Sequence, residues 1–571
     1  MMNKQFKQLF SAVVISMLTF SVGLAQTIEE GLAELKAERT KEAGEVFTKL
    51  AEGSPSADNS YYLGYFYLKT GQLDKAEQAF NKGLELDGKN VLNTIGLGAV
   101  ALGKGDQAKG KELIDGAVKK KKKDANVLFR AGEAYTLFEK NNDPAEAIRL
   151  LDEAIARDKN LADAYIAKGD AFMIKNEGGA AATAYEYALS AKPDYPLANY
   201  KIGEIYLRGK NYNEAAGFYK KAIDADPKFA PAYRDLGELY FFARQYKRAD
   251  ENYSTYLKTS GRNDPDAILR ASQLAFTADD YARSLSLLES IKDKLQGNSI
   301  IDRQFGWAYF KTNDMEKAIA SLKKFIASSP EKVISDDYKY LGRAFNKMAT
   351  DGKEYTAEGM ENLKKGADLD TNATEKAATY KEIAGIYTKG KDYDEAIEAY
   401  RKGINLDTTS ASTQDYYGLG IAYLQSGLGV AVPDSSTADS AQLADKRKDL
   451  FLKSDSTFAI LANKLPDWPY SYYWRASSLY YINSIENVKN GTSLPFYEKF
   501  LALGENDSSV QASFKTRALN YVAAYYQTTG NDAAKAKEVW ERLLKIDPNH
   551  AQAKEALKQL EAPAAATPAP K

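Results

Sequence analysis

This sequence predicts an all-α solenoid of about fourteen stacked helix pairs, and three regularities along its 571 residues carry that prediction. The first is a small residue that recurs at Gly31, Gly64, Gly98, Gly132, Gly169, Gly203, Gly237, Ser272, Gly306, Gly342, Ala384, Gly420, Ser477 and Ala523. Most of the gaps are 33 to 37 residues, and a fixed period of that size marks a repeat array. The second is another small residue further on (Ala43, Ala76, Ala147, Ala181, Ala215 and Ala249 among them), followed one helical turn later by a large apolar one. Phe47, Phe80, Leu151, Tyr185, Tyr219 and Tyr253 belong to that large column. The third is a proline at a common offset that closes six repeats: Pro55, Pro193, Pro227, Pro330, Pro466 and Pro548.

These columns have a common physical cause. Two antiparallel helices approach closely only where a small side chain faces the neighbour, and the large residue one turn later fills the space beside that contact. Proline ends the second helix because it cannot donate the next hydrogen bond. One pair cannot bury its own apolar face, so pairs stack, each touching its neighbours.

Taken in order, residues 1–25 read as a signal peptide. Lys4 and Lys7 precede an apolar run from Leu9 to Phe20, and Gly23 and Ala25 resemble a cleavage site before Gln26. An exported protein, periplasmic or associated with the cell surface, is expected. Residues 26–298 and 299–549 are then the N- and C-terminal halves of the array. The gaps widen to 42, 57 and 46 residues before Ala384, Ser477 and Ala523. The segment 427–449, rich in Gly, Pro, Ser, Thr and Asp, predicts an exposed loop insertion. Within it, Asp439-Ser440-Ala441 looks like the acceptor of some bacterial O-glycosylation systems, which makes Ser440 a candidate modification site. Residues 550–561 carry Ala553, Leu557 and Leu560 at helical spacing and predict a cap helix. The Ala/Pro-rich residues 562–571 predict a disordered tail.

Composition narrows the chemistry. Lys+Arg number 77 against 78 Asp+Glu, so overall charge makes no case for nucleic acid. Cys is absent and His550 is the one histidine. That excludes disulfides, thiolate nucleophiles and Cys/His metal sites, and no cofactor is expected. Gly103-Lys104-Gly105 lacks the spacing of a phosphate-binding loop. The run Lys119 to Lys123 falls at a helix end, where cations suit the helix dipole, and reads as a solvated turn. The chain is not expected to be an enzyme.

The stretch Tyr200-Lys201-Ile202-Gly203-Glu204-Ile205-Tyr206, continued by Ala215, Tyr219, Ala222 and Pro227, resembles the tetratricopeptide repeat, whose pattern is W-x2-L-G-x2-Y, then A-x3-F, then P. The resemblance covers roughly residues 27–549 and weakens around Ser272, Gly359 and Ser477. It implies a right-handed superhelix and a non-enzymatic adaptor that holds a peptide or partner subunit, with the first helix of each pair lining the inner surface. At the inward positions stand Glu133, Asp170, Glu204 and Glu238, then Arg303, Lys311, Lys339, Arg343, Lys347, Lys381 and Lys389. A groove acidic at one end and basic at the other would orient an extended partner. The alternative is a glycan or cell-wall binder. Trp468, Tyr470, Tyr473, Trp474 and Tyr481 lie on more than one helix face, beyond what a single packed face requires.

Overall fold

The small and large columns translate directly into helix pairs. The computed structural model describes residues 27–350, 352–433, 438–482 and 489–561, and these residues form 29 α-helices and no strand. The signal-peptide reading of 1–25 and the tail 562–571 lie outside the described residues. The chain divides into two compact units, Met1–Gln296 and Gly297–Lys571.

In the first unit the pairs are α1 (Ile28–Lys36) with α2 (Thr40–Gly53), α3 (Ala57–Lys69) with α4 (Leu73–Leu86), and α5 (Val91–Gly103) with α6 (Gln107–Lys120). They continue as α7 (Ala125–Ala134) with α8 (Pro144–Arg157), α9 (Ala162–Ile174) with α10 (Gly178–Ala191), and α11 (Pro196–Arg208) with α12 (Tyr212–Ala225). The last two are α13 (Ala230–Phe242) with α14 (Tyr246–Ser260) and α15 (Pro265–Thr277) with α16 (Tyr281–Ile291). The second unit holds α17 (Ile300–Lys311) with α18 (Met315–Ser328), α19 (Ser335–Lys347) with α20 (Ala357–Leu369), and α21 (Ala373–Gly390) with α22 (Tyr393–Leu406). It continues with α23 (Thr413–Gly429), α24 (Ala438–Lys464), α25 (Pro469–Ile482), α26 (Leu494–Gly504), α27 (Ala512–Thr528), α28 (Ala533–Ile546) and α29 (Ala551–Glu561).

Within each pair the contact is the one the columns require. A Cβ added to Gly203 would lie 2.6 Å from the ring of Tyr219, and one on Gly31 would lie 2.7 Å from Phe47. Ala43, Ala76, Ala147, Ala181, Ala215 and Ala249 are buried where the helices touch, and Phe47, Phe80, Leu151, Tyr185 and Tyr219 fill the space beside them. Where serine replaces glycine the hydroxyl is satisfied across the pair: the Ser272 and Ser284 hydroxyls lie 2.9 Å apart. Asn or Asp side chains cap many helix starts, as Asn90, Asp106 and Asp143 do. The turn inside most pairs carries one left-handed residue, among them Glu38, Gly71, Gly105, Asn176 and Lys210. His550 accepts the Ala553 N–H through Nδ1 and so caps α29, which buries Ala553 and Ala556. Lys119 and Lys120 end α6, and Lys121–Lys123 form an exposed turn.

The loop expected at 427–449 needs correction. Residues 427–429 complete α23, and 438–449 are the opening turns of the 27-residue α24. Ser440, Leu443, Arg447 and Leu450 fall on one helical stripe, the side of α24 that is covered. Only two of the four are apolar, so the period is hard to see beside the Gly, Pro and Ser before it. Ser440 is buried and its hydroxyl donates to the Pro433 carbonyl at 2.7 Å, so it is not the open glycosylation acceptor the tripeptide suggested.

Candidate functional site: a cavity in the first unit

First helices from six of the first seven pairs surround a cavity of about 480 Å³ in the first unit. Lys36 comes from α1, Tyr65 and Lys69 from α3, Arg130 and Glu133 from α7, Asp163 and Asp170 from α9, Lys201 and Glu204 from α11, and Arg234 from α13. Every helix contributing to the wall is the first of its pair. Leu32, Leu35, Phe129, Ile166, Leu197 and Phe229 supply its apolar surface. The size falls in the range of small-ligand and side-chain pockets.

Five cations and five carboxylates line this space, and they are matched. Lys36 Nζ lies 2.8 Å from Asp163, which also accepts from the Tyr195 hydroxyl. Arg130, stacked on the rings of Tyr65 and Phe129, donates to Glu133 at 2.9 Å, and the Tyr65 hydroxyl donates to the other Glu133 oxygen at 2.7 Å. Lys201 lies 3.3 Å from Asp170 and 3.1 Å from Glu204. Arg234 reaches both oxygens of Glu38 at 2.7 Å and donates to the Tyr200 hydroxyl at 3.0 Å, which donates to Asp235 at 2.7 Å. A ligand of net charge would have to break one of these pairs, at a cost that grows with burial. The cavity therefore suits a group that is apolar in body and neutral overall.

Burial pushes the Asp163 carboxyl up, but Lys36 and the Tyr195 hydroxyl outweigh it and hold the group below its ordinary value. Burial also pulls the Lys36 ammonium down, against the opposing pull of Asp163. An acid depressed in the folded state contributes stability above its unfolded pKa, about 3.9, and loses that contribution as pH falls through the folded value. Asp163→Asn is therefore expected to lower the urea midpoint at pH 7 by no more than about 1 kcal/mol equivalent, since the pair is partly exposed. The gap to the unaltered protein should narrow as pH falls below about 3.9 toward the folded value. A gap independent of pH would mean that packing, rather than charge, sets the effect.

The acidic residues singled out by sequence divide. Glu133, Asp170 and Glu204 line the cavity, whereas Glu238 pairs with Arg270 at 2.5 Å outside it. The basic set lies in the second unit, and much of it ties one repeat to the next. Arg303 pairs with Asp337 at 3.0 Å, Lys339 with Asp370 at 2.7 Å, Arg343 with Glu382 at 2.6 Å and Lys381 with Asp415 at 3.4 Å. Lys347 sits over the Phe310 ring at 4.7 Å, while Lys311 and Lys389 are exposed in the last turns of α17 and α21. At eight of the eleven positions an opposite charge is already in place.

Of the aromatic set, Tyr473 is corrected to a core position. Tyr473 is 2 % exposed, and its ring centroid lies 4.6 Å from that of Phe514. Trp474 packs on Phe458 and Phe514, Trp468 on Tyr417 and Tyr470, Tyr470 on Phe514, and Tyr481 on Phe451. Helix α25 is aromatic on several faces because neighbours lie on several faces: Tyr473 is buried, whereas Trp468, Tyr470, Trp474 and Tyr481 are half-buried. Among the described residues no three His, Asp or Glu side chains gather to hold a metal ion, and no helix is long and apolar enough to cross a membrane.

Several cavity residues escaped the sequence reading. The position three before the small residue, read only in the basic half, gives Phe129, Ile166, Tyr200 and Arg234 in the acidic half, and all four line the cavity. Lys36, five residues after Gly31, shares the column of Lys311, Lys347 and Lys389, whereas Glu38 and Asp163 stand outside the inward columns and meet partners many repeats away.

Comparison with known proteins identifies the repeat in several segments. Family models described as tetratricopeptide repeat match residues 28–91, 134–196, 166–228 and 304–332, and one described as TPR repeat matches 385–427. No curated protein matches. Among solved structures, the C-terminal part of a TPR repeat-containing protein from Cytophaga hutchinsonii is 20 % identical, with 51 % of this chain and 99 % of that one covered and a TM-score of 0.37. A tetratricopeptide repeat protein from Parabacteroides merdae is 16 % identical over 46 % of this chain and 98 % of its own, with a TM-score of 0.32. Yeast Tom70 is 14 % identical over 72 % and 98 %, with a TM-score of 0.28. With the matched repeats coinciding with helix pairs whose small and large columns pack as the motif requires, the chain carries tetratricopeptide repeats in both units.

Proposed function

We propose that this chain is an exported, non-enzymatic scaffold of the bacterial cell envelope, and that it holds a peptide segment or subunit of a partner protein in the cavity of its first unit. Repeats of this kind support a protein-interaction role. The observation that carries the site is the cavity of about 480 Å³, walled by first helices, with an apolar surface and charges that are already matched. Such a pocket accepts an apolar side chain or short segment without having to neutralise it. Export rests on Lys4, Lys7 and the apolar run Leu9 to Phe20. The test is a photo-crosslinking amino acid placed at Thr136, which lines the cavity, followed by irradiation in envelope extract and mass spectrometry. A discrete crosslinked protein, lost when Phe129 is changed to Asp, is the expected result. Crosslinks to polysaccharide alone, or none, would overturn the proposal.

A further inference from the structure

The first helix pair is held in two different ways. On its own side it is anchored by apolar packing: Phe47 is buried beneath Gly31, with its ring centroid 6.1 Å from that of Phe66 and 6.4 Å from that of Tyr62 in the next repeat. On the far side, the turn Lys36-Ala37-Glu38 reaches repeats that are distant in sequence. Lys36 meets Asp163, 127 residues on, and Glu38 meets Arg234, 196 residues on. Ala37, 2 % exposed, joins the cluster of Tyr200, Tyr219 and Phe229. Repeats in such arrays ordinarily touch only their neighbours, so this contact closes the wall of the cavity upon itself.

The closing contact is weak compared with the anchor. It includes two ion pairs whose side chains are 27 % to 33 % exposed, the Lys36 ammonium 5.4 Å from the Tyr195 ring centre, and one alanine. Partly exposed pairs contribute little each and are screened by salt. An alanine adds little apolar area beside the buried phenylalanine of the anchor. Glu38 is also held in the left-handed region, with φ of 55°, which a glutamate adopts at a cost. The far side can part while α1 and α2 stay folded on α3. Because Leu32, Leu35, Lys36 and Glu38 form one wall, parting opens the cavity.

We infer that the pair α1–α2 is a releasable clasp across this cavity, and that parting of the contacts of Lys36, Ala37 and Glu38 with the far repeats widens the way in. The inference rests on the cavity being the binding site, but its test needs no partner. The chain contains no cysteine, so one introduced into the cavity wall is a clean reporter. Thr136→Cys is the first reporter and Ala167→Cys the second, each checked for helical content by circular dichroism. The probe is an uncharged biotin maleimide, and the readout is its labelling rate. Lys36→Ala with Glu38→Ala should speed labelling about three- to tenfold, the scale of two partly exposed ion pairs. The exchanged pair Lys36→Asp with Asp163→Lys should return the rate toward that of the closed form. Raising salt to half molar should speed labelling when the clasp is intact and leave the double-alanine variant unchanged. Equal rates in all backgrounds, or slower labelling without the clasp, would overturn the inference. Failure to find a crosslinked partner would leave these rates as they are, so the two readings fail separately.

Discussion

Replacing Phe80 by alanine is expected to destabilise the first unit by about 3–5 kcal/mol, the range for truncating a buried aromatic. Phe80 is fully buried beside two glycines rather than one. A Cβ on Gly64 would lie 2.5 Å from its ring, and one on Gly96 would also press on it. Neither glycine has a side chain with which to fill the space left behind, and backbones on both sides resist collapse. The loss should stay local, because each pair touches mainly its neighbours. Hydrogen exchange in mild urea should show reduced protection in α3 to α6 first, with α17 onward unchanged. A uniform loss along the chain would contradict nearest-neighbour stability.

A comparable effect is expected at Arg303. Asp337 has no exposed side-chain surface, and Arg303 holds it through Nε and Nη2, each 3.0 Å from an oxygen. Asp337 also accepts the Ile334 N–H at 2.9 Å. Burial pushes the Asp337 carboxyl above its ordinary value even with these donors in place. Arg303→Met should therefore cost about 3–5 kcal/mol at pH 7, because it strands a buried carboxylate. The sign with pH is opposite to that at Asp163. An acid raised in the folded state disfavours folding once ionised, so its penalty is absent below the unfolded pKa of about 3.9 and grows as pH rises through the folded value. The deficit of Arg303→Met should shrink between pH 7 and pH 4.5. A deficit independent of pH would assign the loss to the packing of the guanidinium over Phe325.

The repeat was legible because glycine at Gly203 and tyrosine at Tyr219 record a contact between segments joined by one short turn. Local pairing of that kind leaves a mark at fixed spacing. The junction of Lys36 with Asp163 leaves none, since 127 residues separate partners that no single period links. Charges at Arg303 and Lys339 could be placed on first helices, but their partners Asp337 and Asp370 belong to the following repeats. Reading one column at a time therefore showed one sign where the structure shows pairs. The aromatic residues of α25 posed the converse problem. Composition gave Trp474 and Tyr473 in plain view, while the number of neighbours around that helix, which decides whether an aromatic face is open, depends on tertiary packing.

The pairing of Arg303 with an aspartate 34 residues further on has a consequence for how such a chain lengthens. Copying one whole unit brings a new arginine and a new aspartate together, so each charge meets its opposite in the neighbouring copy and no uncompensated group is buried. An insertion of any other length inside a helix would turn the guanidinium toward the wrong face. Where a unit has grown, the added residues sit between helices: Arg343 reaches Glu382 across 39 residues, with the extra length lying in the segment between α19 and α20. The charge ladder therefore tolerates uneven spacing, with rungs spanning 31, 34 and 39 residues, and the added length is taken up in the turns.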